Sequence, residues 1–128
     1  MNLQVNKIKE TLTAEALTDL IVDSIQDIKG KNIVKLDLRQ LDDSPADFFI
    51  ICEGSSNTQV KSIADNVHYR LKKEAGNLPL STEGQQNALW ICLDYFDIVV
   101  HVFYGETRKF YELEELWSDA IFTEYETL

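Results

Sequence analysis

Residues 89–103 read LWICLDYFDIVVHVF, two apolar runs joined by a short step that carries two aspartates and two aromatic rings. Runs of this length, rich in branched and aromatic side chains and broken once, predict a β-hairpin. With Tyr95-Phe96 as a two-residue loop, or a slightly wider loop in the same register, Leu93 opposes Ile98, Ile91 opposes Val100 and Leu89 opposes Val102. That face is wholly aliphatic and belongs to the core. The opposite face pairs Asp94 with Asp97, Cys92 with Val99 and Trp90 with His101, and Phe103 extends it. Because side chains alternate with period two, a one-residue slip would exchange the two faces.

The second face has two readings. Aromatic anchors beside a charged rim have the composition of a protein-docking surface. Two aspartates opposed across a hairpin disfavour pairing by a fraction of roughly 1 kcal/mol, so their presence asks for a reason outside the hairpin. Alternatively, Trp90 and Phe103 lie under a helix, and Asp94 and Asp97 accept hydrogen bonds from turn amides as Asx side chains. Aromatic rings neither adopt positive φ cheaply nor hide easily at a tip, which favours the docking reading.

The rest of the chain supplies a frame for that hairpin. In LTAEALTDLIVDSIQDIKGK, Leu17, Leu20, Ile21, Ile25 and Ile28 recur at helical spacing, and Gly30 is a stop signal. NIVKLDLRQL alternates Ile33, Lys35, Asp37 and Arg39 with Val34, Leu36 and Leu38, a strand with one polar face. DFFIICEG is a short, nearly all-apolar strand of the kind buried on both sides. Ser56 and Gln59 have capping-box spacing and open a helix striped by Val60, Ile63, Ala64, Val67 and Leu71, with Gly76 at its end. NLPLSTEGQQNA is a loop with room for a minor strand. ETRKFYELEELWSDA predicts a final amphipathic helix facing inward with Phe110, Leu113, Leu116 and Trp117, and residues 121–128 predict a loose tail. Helices and strands in this order predict an α/β fold, a mixed β-sheet flanked by helices, over a single domain spanning residues 1–128. The crossover through residues 48–93 is right-handed if its strands are parallel neighbours.

A chain of 128 residues can bury a core. Its formal net charge of −10 argues against binding that rests on Lys/Arg–phosphate contacts; it suits high solubility or a basic protein partner. The N-terminal residues lack an apolar signal core and no stretch is long enough to span a bilayer, so a cytoplasmic location is expected. Cys52 and Cys92 stand singly in apolar runs, which predicts reduced, buried thiols and no metal site.

Gly54-Ser55 ahead of a helix offers amides to an anion, and it is the first half of a nucleotidyltransferase signature. The second half, two carboxylates one residue apart on a following strand to hold Mg²⁺, does not follow. A capping role for Ser56 explains the serine more simply. His68 and His101 have no nucleophile partner by spacing. The expectation is a non-enzyme without cofactor, with a nucleotidyltransferase-type enzyme as the alternative.

KLDLRQL, ADFFIICEGSS, QVKSIAD, Glu83-Gly84, and then Trp90, LDYFDIVVHVF and FYELEELWSDA closely resemble the Iojap family, also called ribosomal silencing factor S, over about Leu17 to Ala120. The resemblance implies a nucleotidyltransferase-like fold without catalytic residues. It implies a translational repressor that binds the large ribosomal subunit through the universal large-subunit ribosomal protein fourteen, blocks joining of the small subunit under nutrient limitation, and is a homodimer when free. Trp90, Asp94, Asp97, His101, Phe103, Arg108 and Tyr111 occupy the family's motif positions; with Tyr95 and Phe96 they form the expected partner-binding set. Phe96 stands where many members have glycine, and Leu89 where an acidic residue is frequent. Residues 94–128 carry nine acids against two bases, Arg108 and Lys109, a balance that favours a basic ribosomal protein over ribosomal RNA.

Overall fold

A computed structural model describes residues 12–128. The elements run α1 (Ala14–Asp27), β1 (Lys31–Asp37), β2 (Phe48–Gly54), α2 (Asn57–Ala75), β3 (Ser81–Glu83), β4 (Trp90–Asp94), β5 (Ile98–Tyr104), α3 (Gly105–Tyr111), α4 (Leu113–Leu116) and β6 (Ile121–Tyr125). Among the described residues, six strands form one sheet in the order β3-β4-β5-β2-β1-β6. β2 and β5 are parallel at its centre, and the other neighbouring pairs are antiparallel. The sheet is therefore mixed, in an α/β fold. The parallel neighbour of β2 is β5 rather than β4, so the crossover continues beyond residue 93 through the hairpin.

Helices α1 and α2 cover one side of the sheet. Their buried residues Ile21, Val22, Ile25, Val60, Ile63, Val67 and Leu71 meet Ile33, Phe48, Ile50, Ile91, Leu93, Val100 and Val102 in one core. Local chemistry sets the ends of α2. The Ser56 hydroxyl accepts from the Gln59 amide at 3.1 Å, and the Gln59 side chain reaches back to the amide of Ser55. Gly76 closes the helix at φ 62, and Asn77 donates to the carbonyl of Leu71, the pattern of a Schellman stop. At the end of α1 the left-handed position falls to Lys29, at φ 62, and not to Gly30. Gly30 instead packs where any side chain would strike Ile25.

The other side of the sheet is covered in part by a strap made of α3 and α4. Phe49, Ile51, Val99, Phe103, Val34 and Leu36 pack there against Leu113 and Ala120, with Trp117 at the margin. Two expectations need correction on this side. The single C-terminal helix is broken at Glu112, which takes φ 48, so the apolar stripe does not turn inward as a unit: Leu113 is buried while Phe110 is 79% exposed and Leu116 73%. Residues 121–128 are not a loose tail throughout. Ile121–Tyr125 form β6, which pairs with β1 from Asp37↔Ile121 to Ile33↔Tyr125 and supplies one edge of the sheet. Alternation along IFTEY was too short and too exposed to announce a strand; the partner edge of β1 selects it.

Candidate docking surface

The hairpin of β4 and β5 pairs Trp90 with Phe103, Ile91 with Val102, Cys92 with His101, Leu93 with Val100 and Asp94 with Val99. This register lies two residues from the expected one. A shift of two preserves the faces, so Ile91, Leu93, Ile98, Val100 and Val102 still point at α1 and α2, and Trp90, Cys92, Asp94, Val99, His101 and Phe103 share the strap side; Leu89, which precedes β4, is exposed instead of joining the core. The loop centres on Phe96-Asp97. Tyr95 donates to the carbonyl of Ile98 at 2.8 Å, and Asp97 donates back to Tyr95 at 3.0 Å around a Phe96 held at φ 75, the bonding of a γ-turn. Asp94 Oδ1 accepts from the Phe96 amide at 2.8 Å, the Asx role, and the carbonyl of Asp97 accepts from Asp47 and Phe48. The two aspartates therefore do not oppose each other across the strands.

These residues fall into three groups. Tyr95 is buried on the helical side, and Phe103 and His101 are buried under the strap edge, so none of the three presents a surface. Asp94 is half-buried, Asp97 and Tyr111 are exposed, and Phe96 is 70% exposed at the tip. Trp90 is half-buried in contact with two rings, Phe103 stacked on it at 4.8 Å and Tyr111 tilted against it at 4.8 Å. Arg108 points away from solvent and binds Glu53, Glu114 and the carbonyl of Asn32.

An imidazole fixes the indole. Trp90 Nε1–H donates to His101 Nδ1 at 3.1 Å, which places the imidazole proton on Nε2. That Nε2 is buried without a hydrogen-bond partner among the described residues, with the Phe49 ring edge-on at 4.6 Å. Burial pushes the His101 pKa down to about 4, so the ring stays neutral and keeps its acceptor for the indole at neutral pH. Burial also pushes the thiols up, Cys52 to about 12 and Cys92 to about 11, so both remain protonated and weakly nucleophilic.

The strap leaves the β3–β4 half of this face open. Glu83 pairs directly with Cys92, and Ser81 with Asp94, so two carboxylates, Glu83 and Asp94, flank the Cys92 thiol on one face. Gly84 makes this possible. It sits at φ 90 against the carbonyl of Trp90, where a Cβ would collide with backbone. Leu89 and Phe110 are exposed near Tyr111 and bound a shallow depression with it. The result is an aromatic ridge beside a small acidic field. Leu89, Phe110 and Glu83 escaped the sequence reading as members of this surface. Glu83 lies in a three-residue strand with no periodicity to detect, and the exposure of Phe110 follows from the break at Glu112.

A profile of the family described as "Ribosomal silencing factor during starvation" matches residues 11–128. The chain belongs to that family. A ribosomal silencing factor RsfS from Halalkalibacterium halodurans is 36% identical over 115 residues, spanning 90% of this chain and 97% of the relative. One from Chromobacterium violaceum is 38% identical over 104 residues, 81% of this chain and 84% of the relative. The chloroplastic protein Iojap of Zea mays is 36% identical over 73 residues, 57% of this chain and 31% of that longer protein. A crystal structure of a Chromobacterium violaceum protein superposes with a TM-score of 0.79 at 36% identity, covering 84% of this chain and 88% of that one. The family is named for a regulatory action rather than for a reaction. No helix among the described residues is long and apolar enough to cross a membrane.

Proposed function

We propose that this chain represses translation by binding the large ribosomal subunit and occupying space that the small subunit needs. The observation that carries the reading is the open half-face of the sheet in a member of the silencing-factor family: Trp90 and Tyr111 in ring contact beside Asp94 and Glu83. Its chemistry suits a basic ribosomal protein, and the resemblance of the hairpin motif points to the universal large-subunit ribosomal protein fourteen. Trp90, Asp94, Phe96, Asp97 and Tyr111 are the proposed contacts, with Leu89, Phe110 and Glu83 at their side. Tyr95, His101 and Phe103 support the surface from beneath. The action is occlusion, with no covalent step. In this reading the free chain is a homodimer, which light scattering of the purified protein checks.

The geometry ahead of α2 supports docking over nucleotide binding. The Ser55 amide donates to Gln59 Oε1 at 2.6 Å and the Ser56 hydroxyl is engaged by the Gln59 amide, so these two groups already serve as a helix cap. The test is co-sedimentation with isolated large subunits. Trp90→Glu and Asp94→Lys are expected to lose binding while circular dichroism and thermal unfolding show a folded chain. Normal binding by both variants would remove the site.

A further inference from the structure

Arg108 lies among the motif residues, yet its side chain is only 11% exposed and all three of its guanidinium nitrogens donate hydrogen bonds within the chain. Nη1 donates to the carbonyl of Asn32 at 2.7 Å and to Glu53 Oε1 at 3.1 Å. Nη2 and Nε both donate to Glu114 Oε2, at 2.7 and 3.3 Å. One side chain thus ties together β1, β2, α3 and α4. We infer that Arg108 is a positioning residue that latches the strap onto the sheet and so holds Tyr111 against Trp90, and that it does not touch the ribosomal partner. This inference rests on the docking reading of the preceding section.

Several features are built around the latch. Lys31 pairs with Glu53 but Val34 with Ile51, so β1 carries one extra residue at this end, a bulge, with Asn32 at φ 49. A bulge releases a residue from the ladder, and here the Asn32 carbonyl accepts from Arg108. Gly105 opens α3 directly over Glu53, where a Cβ would stand 3.0 Å from Glu53 Oε2. The turn at Glu112, whose amide donates to the carbonyl of Arg108, reverses the strap so that Glu114 returns to the guanidinium. Tyr111 lies inside the loop so closed, one residue before the break, and its ring meets Trp90. A lysine could not replace this arrangement, because a point charge has no rigid fork to span acceptors on opposite sides. Removing the charge would leave Glu53 and Glu114 partly buried and unpaired in a chain of net charge −10.

The experiment compares the full chain with Arg108→Gln, Arg108→Lys and the triple variant Arg108→Gln/Glu53→Gln/Glu114→Gln, in which three amides face one another without charge. Three quantities are read: amide exchange over residues 106–117, the Trp90 indole N–H resonance, and co-sedimentation with large subunits. Arg108→Gln is expected to speed strap exchange roughly tenfold or more, to shift the indole resonance and to weaken binding roughly tenfold. The triple variant is expected to recover strap protection and most of the binding. Where Arg108→Gln does not fold, Arg108→Lys serves, with faster strap exchange expected despite the retained charge. Unchanged strap exchange and indole resonance in the Arg108 variants would overturn the latch, whether or not binding falls. So would a triple variant whose strap recovers while its binding does not, since Arg108 would then be a direct contact. Failure of the docking reading appears separately, as undiminished binding by both Trp90→Glu and Asp94→Lys.

Discussion

Phe96 holds a backbone conformation, φ 75, that glycine adopts without steric penalty and that costs a bulky L-residue on the order of 1–2 kcal/mol. Phe96→Gly is expected to stabilise the fold by about 1 kcal/mol after allowing for glycine's freedom in the unfolded chain. If the exposed ring contacts the partner, the same variant binds large subunits less tightly, so urea unfolding and co-sedimentation should move in opposite senses. His101 gives the second residue-scale prediction. Its folded pKa of about 4 lies below the ordinary 6.5, so the unfolded chain binds the extra proton between those values. Stability is therefore complete above pH 6.5 and falls as pH drops toward 4, by up to ~3 kcal/mol for a shift of this size. His101→Gln removes the titration, and its stability difference between pH 7 and pH 4.5, from urea midpoints, is expected to be smaller than that of the parent chain. Carboxylates such as Asp37, held low by its Arg39 hydrogen bond, lose their contribution at more acid pH and do not mask this window. Tyr95 shows what the residue scale concealed. Placing it in a two-residue loop left it outside, whereas the actual loop returns it to the strand's alternation and sends its ring into the core.

At the scale of elements, β6 and the strap decide what the sheet exposes. β6 occupies the edge beside β1, and Val34 and Leu36 of β1 are buried. Ending the chain after Ala120 is expected to cost about 2 kcal/mol or more through lost ladder bonds and packing, and to leave an unpaired β1 edge open to association. A lower urea midpoint with increased light scattering is the outcome to look for. Glu112 is the corresponding point in the strap. Its φ of 48 breaks the helix and turns Glu114 back toward Arg108, so Glu112→Gly should keep the break and raise thermal stability modestly, by about 1 kcal/mol or less. Glu112→Pro is incompatible with that positive φ and is expected to disorder the strap, visible as faster amide exchange over the same residues. No propensity signal placed this break. ETRKFYELEELWSDA has a helical pattern throughout, and the break is accompanied by contacts distant in sequence: Glu114 returns to a guanidinium anchored on the sheet and Leu113 enters the core.

For the whole molecule, the net charge of −10 and the open face carrying Glu83 and Asp94 predict long-range attraction to a basic partner. Co-sedimentation with large subunits should therefore weaken as ionic strength rises from roughly 0.05 to 0.5 M, where charges more than a few ångströms apart are screened. An Asp94→Lys variant is expected to bind poorly at low salt and to depend less on salt. Much of this molecule was already legible in the chain. The α/β class, the capped α2, the almost wholly buried β2 and the two faces of the hairpin follow from signals within a few consecutive residues, and period-two alternation survived a register wrong by two. Family membership was legible too, because the motif is carried by short stretches that can each be read in order along the chain. What tertiary structure alone decided is which groups meet across the chain: β6 beside β1, Trp90 against Phe103 and Tyr111, and Arg108 bound to Glu53 and Asn32 across sequence separations of 55 and 76 residues. Caps and periodicities are written where they act, but a half-covered surface exists only once distant segments have packed, since it is set by what lies above a side chain and not by its neighbours in sequence.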